Sequence, residues 1–216
     1  LLALTVALLI RAKLDGNTKQ VYLLKPLSTL LVILTCTLSL TRPNAHSLYT
    51  GALLMGLLFS LGGDVALMFP SDRAFLLGVA SFLLAHVVYG LTFGLSGGLH
   101  TQQIAPAAIL LVVGVGFYAY LYPHLGKMKA PVGIYALVIS LMVLMAVGTL
   151  SSAAFSATQA RLVTTGAILF YISDMILAVD KFARPFRLSS LLNLSTYYLG
   201  QLLIALSAAY TLSQSA

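Results

Sequence analysis

The chain is 216 residues long, 60% hydrophobic and 8% charged, with twelve Lys and Arg against five Asp, no Glu and a net charge of +7. A mean hydropathy of +1.00 excludes an ordinary soluble domain. The basic residues are spread over several short connections rather than gathered in one patch, which excludes a nucleic-acid binder.

Apolar stretches separated by short polar connections predict an all-α, polytopic transmembrane bundle, a single helical domain over residues 1–216. Spans are expected near 1–11, 21–41, 48–69, 74–95, 104–122, 132–150, 161–180 and 190–212. Most reach the roughly 20 residues that cross the hydrocarbon core. The first is too short, because Arg11 closes it. The chain starts without Met, which leaves room for the beginning of that helix to lie upstream. A signal-peptide h-region is the other reading, but no small-residue cleavage site follows. Eight spans is thus the expectation and seven the alternative. Cys36, the single cysteine, lies in the second span, allows no internal disulfide and reads as a small apolar filler.

Charge sets the orientation. The side reached by the end of the first span carries Arg11, Lys13, Lys19, Lys25, Arg73, Lys127, Lys129, Lys181, Arg184 and Arg187; the opposite side carries only Arg42 and Arg161. Such a bias in short loops makes the basic side cytoplasmic. A multi-pass protein of the inner or plasma membrane, if bacterial, is expected.

Two aspartates stand inside apolar runs: Asp64 in LLFSLGGDVALM and Asp174 in GAILFYISDMILA. An ionised Asp at a helix centre costs roughly 2.5–3.5 kcal/mol on insertion scales, so such a pair marks a working site or a structural tie. The alternation of spans puts both in the basic-side half of the third and seventh. It brings other polar groups to similar depth: Lys25 one turn into the second span, His86 and Tyr89 near the middle of the fourth, and Asn193, Tyr197 and Gln201 on one face of the eighth. A polar cavity opening to the cytoplasmic leaflet is predicted.

Each candidate has a plainer reading. Asp64 could be tied to Lys25 as glue, and Asp174, with Tyr171 a turn earlier, could bond a neighbouring helix. Two carboxylates share one cation among the spans, so one is expected to keep its proton, and a protonated carboxyl in an apolar cavity is a general acid. Lys25, just before Pro26, either snorkels or counters an Asp or a lipid phosphate. His86 alone is more often a helix–helix contact. Tyr197, Tyr198 and Gln201 read as packing, with Tyr197 and Gln201 drawn to the cavity by their depth. Asp15, Asp72 and Asp180 are loop or interface charges, Asp180 with a base nearby. Gly56 and Gly166 each precede an Asp by eight residues, a weak sign of a parallel repeat.

No G-x-S-x-G elbow, H-E-x-x-H or P-loop occurs. The aspartates do not carry the Tyr-Asp and Gly-x-Gly-Asp motifs of intramembrane aspartyl proteases; they read Ser173-Asp174 and Leu61-Gly62-Gly63-Asp64. His46, His100 and His124 fall in loops or span ends, so a three-histidine zinc site is not expected; a mixed His/Asp site stays open, although neither metal nor cofactor is anticipated.

At these residues the chain resembles the lysoplasmalogenase family of YhhN-like membrane proteins. The resemblance rests on Lys25-Pro26-Leu27, LFSLGGDVALM around Asp64, SFLLAHVVYGLTFG around His86, and the run from Gly166 to Ala208 that holds Asp174 and the eighth span. It covers spans two to eight in order; the first matches poorly. It implies hydrolysis of the vinyl ether bond of a lysoplasmalogen, a lysophospholipid met within the bilayer, with water as co-substrate. For that reaction one Asp would serve as general acid and the other as base; Asp174 is taken as acid and Asp64 as base, although the sequence does not rank the two. Lys25, with Arg184 or Arg187, would hold the phosphate, and His86, Tyr171, Asn193, Tyr197 and Gln201 would line the pocket. A homo-oligomer is left open. The alternatives are a proton-coupled lipid or small-solute transporter using the same aspartates, and a purely structural bundle.

Overall fold

In the computed structural model, which describes residues 1–42 and 46–210, eight α-helices follow in order with no strand among the described residues. They are α1 (Leu2–Leu14), α2 (Thr18–Leu38), α3 (Ser47–Ala66), α4 (Asp72–Gly97), α5 (Ile104–Leu121), α6 (Lys129–Gly148), α7 (Ala157–Ala178) and α8 (Ser189–Ser207). Residues 211 and 212 of the expected last span lie outside the described residues. Six helices, α2 to α7, are long and apolar enough to cross a membrane. The protein is a multi-pass membrane protein. Helix α1 has only 13 residues. Helix α8 has 19, but Asn193, Tyr197, Tyr198 and Gln201 dilute its hydropathy.

Two expected boundaries move. Arg11 does not end the first helix; it and Lys13 occupy the last turn, where cations suit the negative end of the helix dipole, and Arg11 pairs with Asp15 at 3.5 Å. Helix α2 begins earlier than expected, where the Asn17 side chain accepts the Gln20 N–H at 3.2 Å. Lys25 and Pro26 therefore sit two turns inside α2 rather than one. Pro26 has no N–H, so the Tyr22 carbonyl loses its helical donor.

Glycine decides how closely the helices that carry the site approach. A Cβ on Gly63 would lie 2.5 Å from the Phe82 ring, so α3 can seat its Asp64 turn against α4 only with Gly there. At the α7–α8 crossing a Cβ on Gly166 would come within 2.8 Å of the Gly200 carbonyl, and the reverse holds for Gly200. Such small-residue contacts are how membrane helices gain packing without a hydrophobic driving force between them. Helix α4 also packs on α6, and α2 on α3 and α8. Helix α5 has α6 as its main partner, and Ile109, Leu111, Val112 and Val115 on it face outwards. After α7 the chain widens into a π-helical turn, Val179–Ala183, where Asp180, expected beside a base, accepts the Phe186 N–H at 3.3 Å.

Candidate active site

A cavity of about 410 Å³ opens among α2, α3, α4, α7 and α8. Asp64 and Asp174 both line it, with Lys25, Ser173, Asn193 and Tyr197. Lys13 from the last turn of α1, Asp72 from the start of α4 and Lys181 from the turn after α7 also line it. The convergence expected from span alternation is therefore present: two carboxylates from helices four spans apart face one space. Arg184 and Arg187 are not among the lining residues; Lys13 and Lys181 stand where they were expected.

Asp64, on α3, is held by α2 and α8. Its side chain is 2% exposed. One oxygen, Oδ1, pairs with the Lys25 ammonium at 3.2 Å; the other, Oδ2, accepts from the Thr29 hydroxyl at 2.5 Å and from the Tyr197 hydroxyl at 2.8 Å. Lys25 also donates to the Asp64 carbonyl at 3.2 Å, which ties ammonium and main chain together. Behind this cluster Gln201 donates to Tyr197 at 3.5 Å and accepts from Tyr89 at 3.0 Å, while Tyr198 donates to the Lys25 carbonyl at 2.9 Å. A buried carboxylate with a cation and two hydroxyl donors has its charge compensated, as burial demands.

Asp174 has different company. Its Oδ2 accepts from the Tyr135 hydroxyl at 2.7 Å and lies 3.1 Å from His86 Nε2, and these two partners are 2.9 Å apart, which closes a triangle. Among the described residues Oδ1 has no protein donor, and the side chain keeps 14% of its exposure. His86 is fully buried, edge-on to Phe170 at 4.6 Å between ring centroids, and its Nδ1 has no partner among the described residues. A doubly protonated imidazole would leave that Nδ1–H unmade in an apolar setting. The neutral ring with its proton on Nε2 suits the site, donating to Asp174 Oδ2. Asp174 thus lacks the cation that Asp64 has. Two carboxylates in unlike surroundings is the pattern by which one site supplies both an acid and a base.

Beside Asp174, an apolar pocket runs between α4, α5, α6 and α7, lined by side chains such as Val79, Phe117, Val132 and Ala136. Leu67, Phe75, Phe82, Asp174, Leu177 and Lys181 line both spaces, so the two meet at Asp174. Lys181 holds its ammonium 4.8 Å from the centre of the Phe75 ring at this junction. No cluster of three or more His, Cys, Asp or Glu with metal-binding arrangement occurs among the described residues.

The sequence pattern of the YhhN family matches residues 20–208. The chain belongs to the YhhN family. It is 38% identical over 174 residues to the lysoplasmalogenase TMEM86A of Bos taurus, covering 78% of this chain and 68% of that one. It is 36% identical over 163 residues to the human lysoplasmalogenase TMEM86B, covering 74% and 64%. The Escherichia coli O157:H7 membrane protein YhhN, described as uncharacterized, is 28% identical over 205 residues, 94% of each chain. No solved structure matches.

In this YhhN-family protein the candidate residues divide by place. Lys25, Asn193 and Tyr197 line the polar cavity, and Asn193 donates to the Ser173 carbonyl at 2.9 Å, fixing α8 to α7. Tyr171 lines the apolar pocket instead and bonds Ser140 at 3.4 Å. His86 and Gln201 touch neither space; they hold Asp174 and Tyr197 from behind. Thr29 and Tyr135 went unnoticed in the sequence. Thr29 had a signal, standing four residues after Lys25 on the same helix face. Tyr135 had none that sets it apart from the other tyrosines.

Proposed function

We propose that the protein is an integral-membrane hydrolase that cleaves the vinyl ether bond of lysoplasmalogens, releasing a fatty aldehyde and a glycerophospho-head group. The observation that carries this reading is the pair of carboxylates on one cavity, one neutralised by Lys25 and one, Asp174, with a free oxygen. The names of the TMEM86A and TMEM86B relatives supply the substrate class.

A vinyl ether is cleaved by protonation at carbon. Asp174 carries the proton on Oδ1, the oxygen no protein group engages, while His86 and Tyr135 anchor Oδ2. Transfer of that proton to the β-carbon of the alkenyl chain leaves an oxocarbenium ion at the carbon bound to oxygen. Water adds to that carbon and gives a proton to Asp64, whose charge also stabilises the cation. In the resulting hemiacetal the hydroxyl proton returns to Asp174, the bond from carbon to the glycerol oxygen breaks, and Asp64 protonates the departing oxygen. Both carboxyls regain their starting states, and one water is consumed. Lys25, Lys13 and Lys181 counter the phosphate. The positive-inside bias turns the cavity to the cytoplasmic leaflet.

The test is aldehyde release from lysoplasmenyl-ethanolamine by purified protein in detergent, with Asp64→Asn and Asp174→Asn beside it. Activity in the wild type, and its loss in both folded variants, supports the reading. A proton-coupled carrier would turn nothing over in detergent and would need a sealed membrane and a gradient; that outcome overturns it.

A further inference from the structure

We infer that the apolar pocket between α4, α5, α6 and α7 binds the hydrocarbon chain of the substrate, and that the junction at Asp174 sets which bond is attacked. This rests on the proposed hydrolase reading and adds the placement of the substrate. The observation is the joining of two unlike spaces. One is polar and ringed by Lys13, Lys25 and Lys181; the other is walled by aliphatic and aromatic side chains from four helices. A lysolipid has the same division, with an anionic head and one apolar chain joined at the group that reacts. Laid across the junction with its phosphate near the lysines and its chain against Val79, Val132 and Ala136, it brings the first carbons of the chain to Asp174. Those are the carbons of the vinyl ether.

Access fits the same arrangement. Helix α5 forms one wall through Phe117 and Tyr118, yet its main partner is α6, and much of its surface faces outwards. A chain lying in the leaflet can therefore slide in past α5 without parting α7 from α8. The tight Gly63 and Gly166 contacts lie on the other helix pairs and stay closed. Tyr171, on the wall of this pocket and bonded to Ser140, belongs to the chain site rather than to the head-group site.

The experiment uses Ala136→Phe, with Val132→Phe one turn earlier as a second variant in case the first fails to fold; thermal unfolding in detergent checks both. Aldehyde release is measured with long-chain and short-chain lysoplasmenyl substrates. In parallel, a lysophosphatidylcholine with a diazirine at its chain end is photo-crosslinked to each protein and the labelled peptides are mapped. The added ring should lower kcat/KM for the long chain at least about 10-fold while sparing the short chain, since single methylenes in apolar pockets already discriminate by factors of that order. The label should fall on α5 and α6 in the wild type and be lost in the variants. An unchanged chain-length profile, or label confined to outward residues such as Ile109 and Val112, overturns the inference while leaving the hydrolase intact. Pocket labelling without aldehyde from any substrate does the opposite: the chain site stands and the hydrolase reading falls.

Discussion

Replacing Lys25 by Met tests whether Asp64 is a compensated carboxylate. The ammonium lies 3.2 Å from Asp64 Oδ1, with 13% and 2% of the two side chains exposed. At an effective dielectric of about 20, Coulomb's law gives about 5 kcal/mol of attraction at that separation. Breaking a buried pair by removing one partner generally costs about 3–5 kcal/mol, because the remaining charge is stranded. Thr29 and Tyr197 still donate to Oδ2, so the lower end of that range applies. Each kcal/mol moves the midpoint of a protein this size by roughly 2–4 °C, so Lys25→Met should melt about 6–12 °C below the wild type. The double variant Lys25→Met/Asp64→Asn removes both charges and should recover more than half of the loss. Cys36 provides the assay: it is the only cysteine and is fully buried, so a thiol-reactive fluorophore reads unfolding directly in detergent. If Lys25→Met melts within about 2 °C of the wild type, or the double variant melts no higher than the single, Asp64 is not a stranded charge without Lys25 and the assignment of roles fails.

Tyr135→Phe removes one hydrogen bond to Asp174, worth about 1.5 kcal/mol, and should lower kcat about 10-fold with KM little changed, a split that a purely structural tyrosine would not produce. Lys13→Met should raise KM for phosphate-bearing lysolipids about 3–5-fold and weaken the salt dependence of KM, as expected for an exposed charge at the cavity mouth. Gly166→Val drives a side chain into the Gly200 carbonyl and Ile204, and should cost about 1–3 kcal/mol or more, seen as a lower melting point or lost folded yield. Swapping Gln201 for Leu should leave Tyr89 without its acceptor and reduce stability by about 1–3 kcal/mol, measured in the same melting assay.

What the sequence made legible follows from what is expensive in a membrane. Asp64, Asp174 and Lys25 stood out because charge in hydrocarbon persists only for a reason, and span parity alone placed the aspartates at one depth. Residues that carry less penalty gave less away. Tyr135 sits near the start of α6, and tyrosines are common near membrane interfaces, so its aim at Asp174 depends on helix rotation that hydropathy does not encode. Arg184 and Arg187 were chosen by charge and loop, yet the π-helical turn after α7 puts Lys181 on the cavity instead. Hydropathy places the start of α2 at residue 21, three positions late, because the capping Asn17 and the first turn lie in a polar stretch that it leaves outside the span. His86 and Gln201 were expected to line the pocket; they sit one layer back, bonded to Asp174 and Tyr197, a placement that only packing reveals.

The polarity of α8 has a bearing on how the chain enters the bilayer during synthesis. A segment carrying Asn193, Tyr197 and Gln201 is poorly suited to partition into lipid by itself, and the groups that satisfy it, on α2, α3, α4 and α7, are all translated before it. Its insertion is therefore templated: α8 integrates by docking onto a scaffold already in place, with the glycine contact to α7 guiding the hairpin. Until it docks, Asp64 lacks the Tyr197 hydroxyl and the cavity lacks one wall, so the cavity is complete only once α8 has joined the helices that precede it.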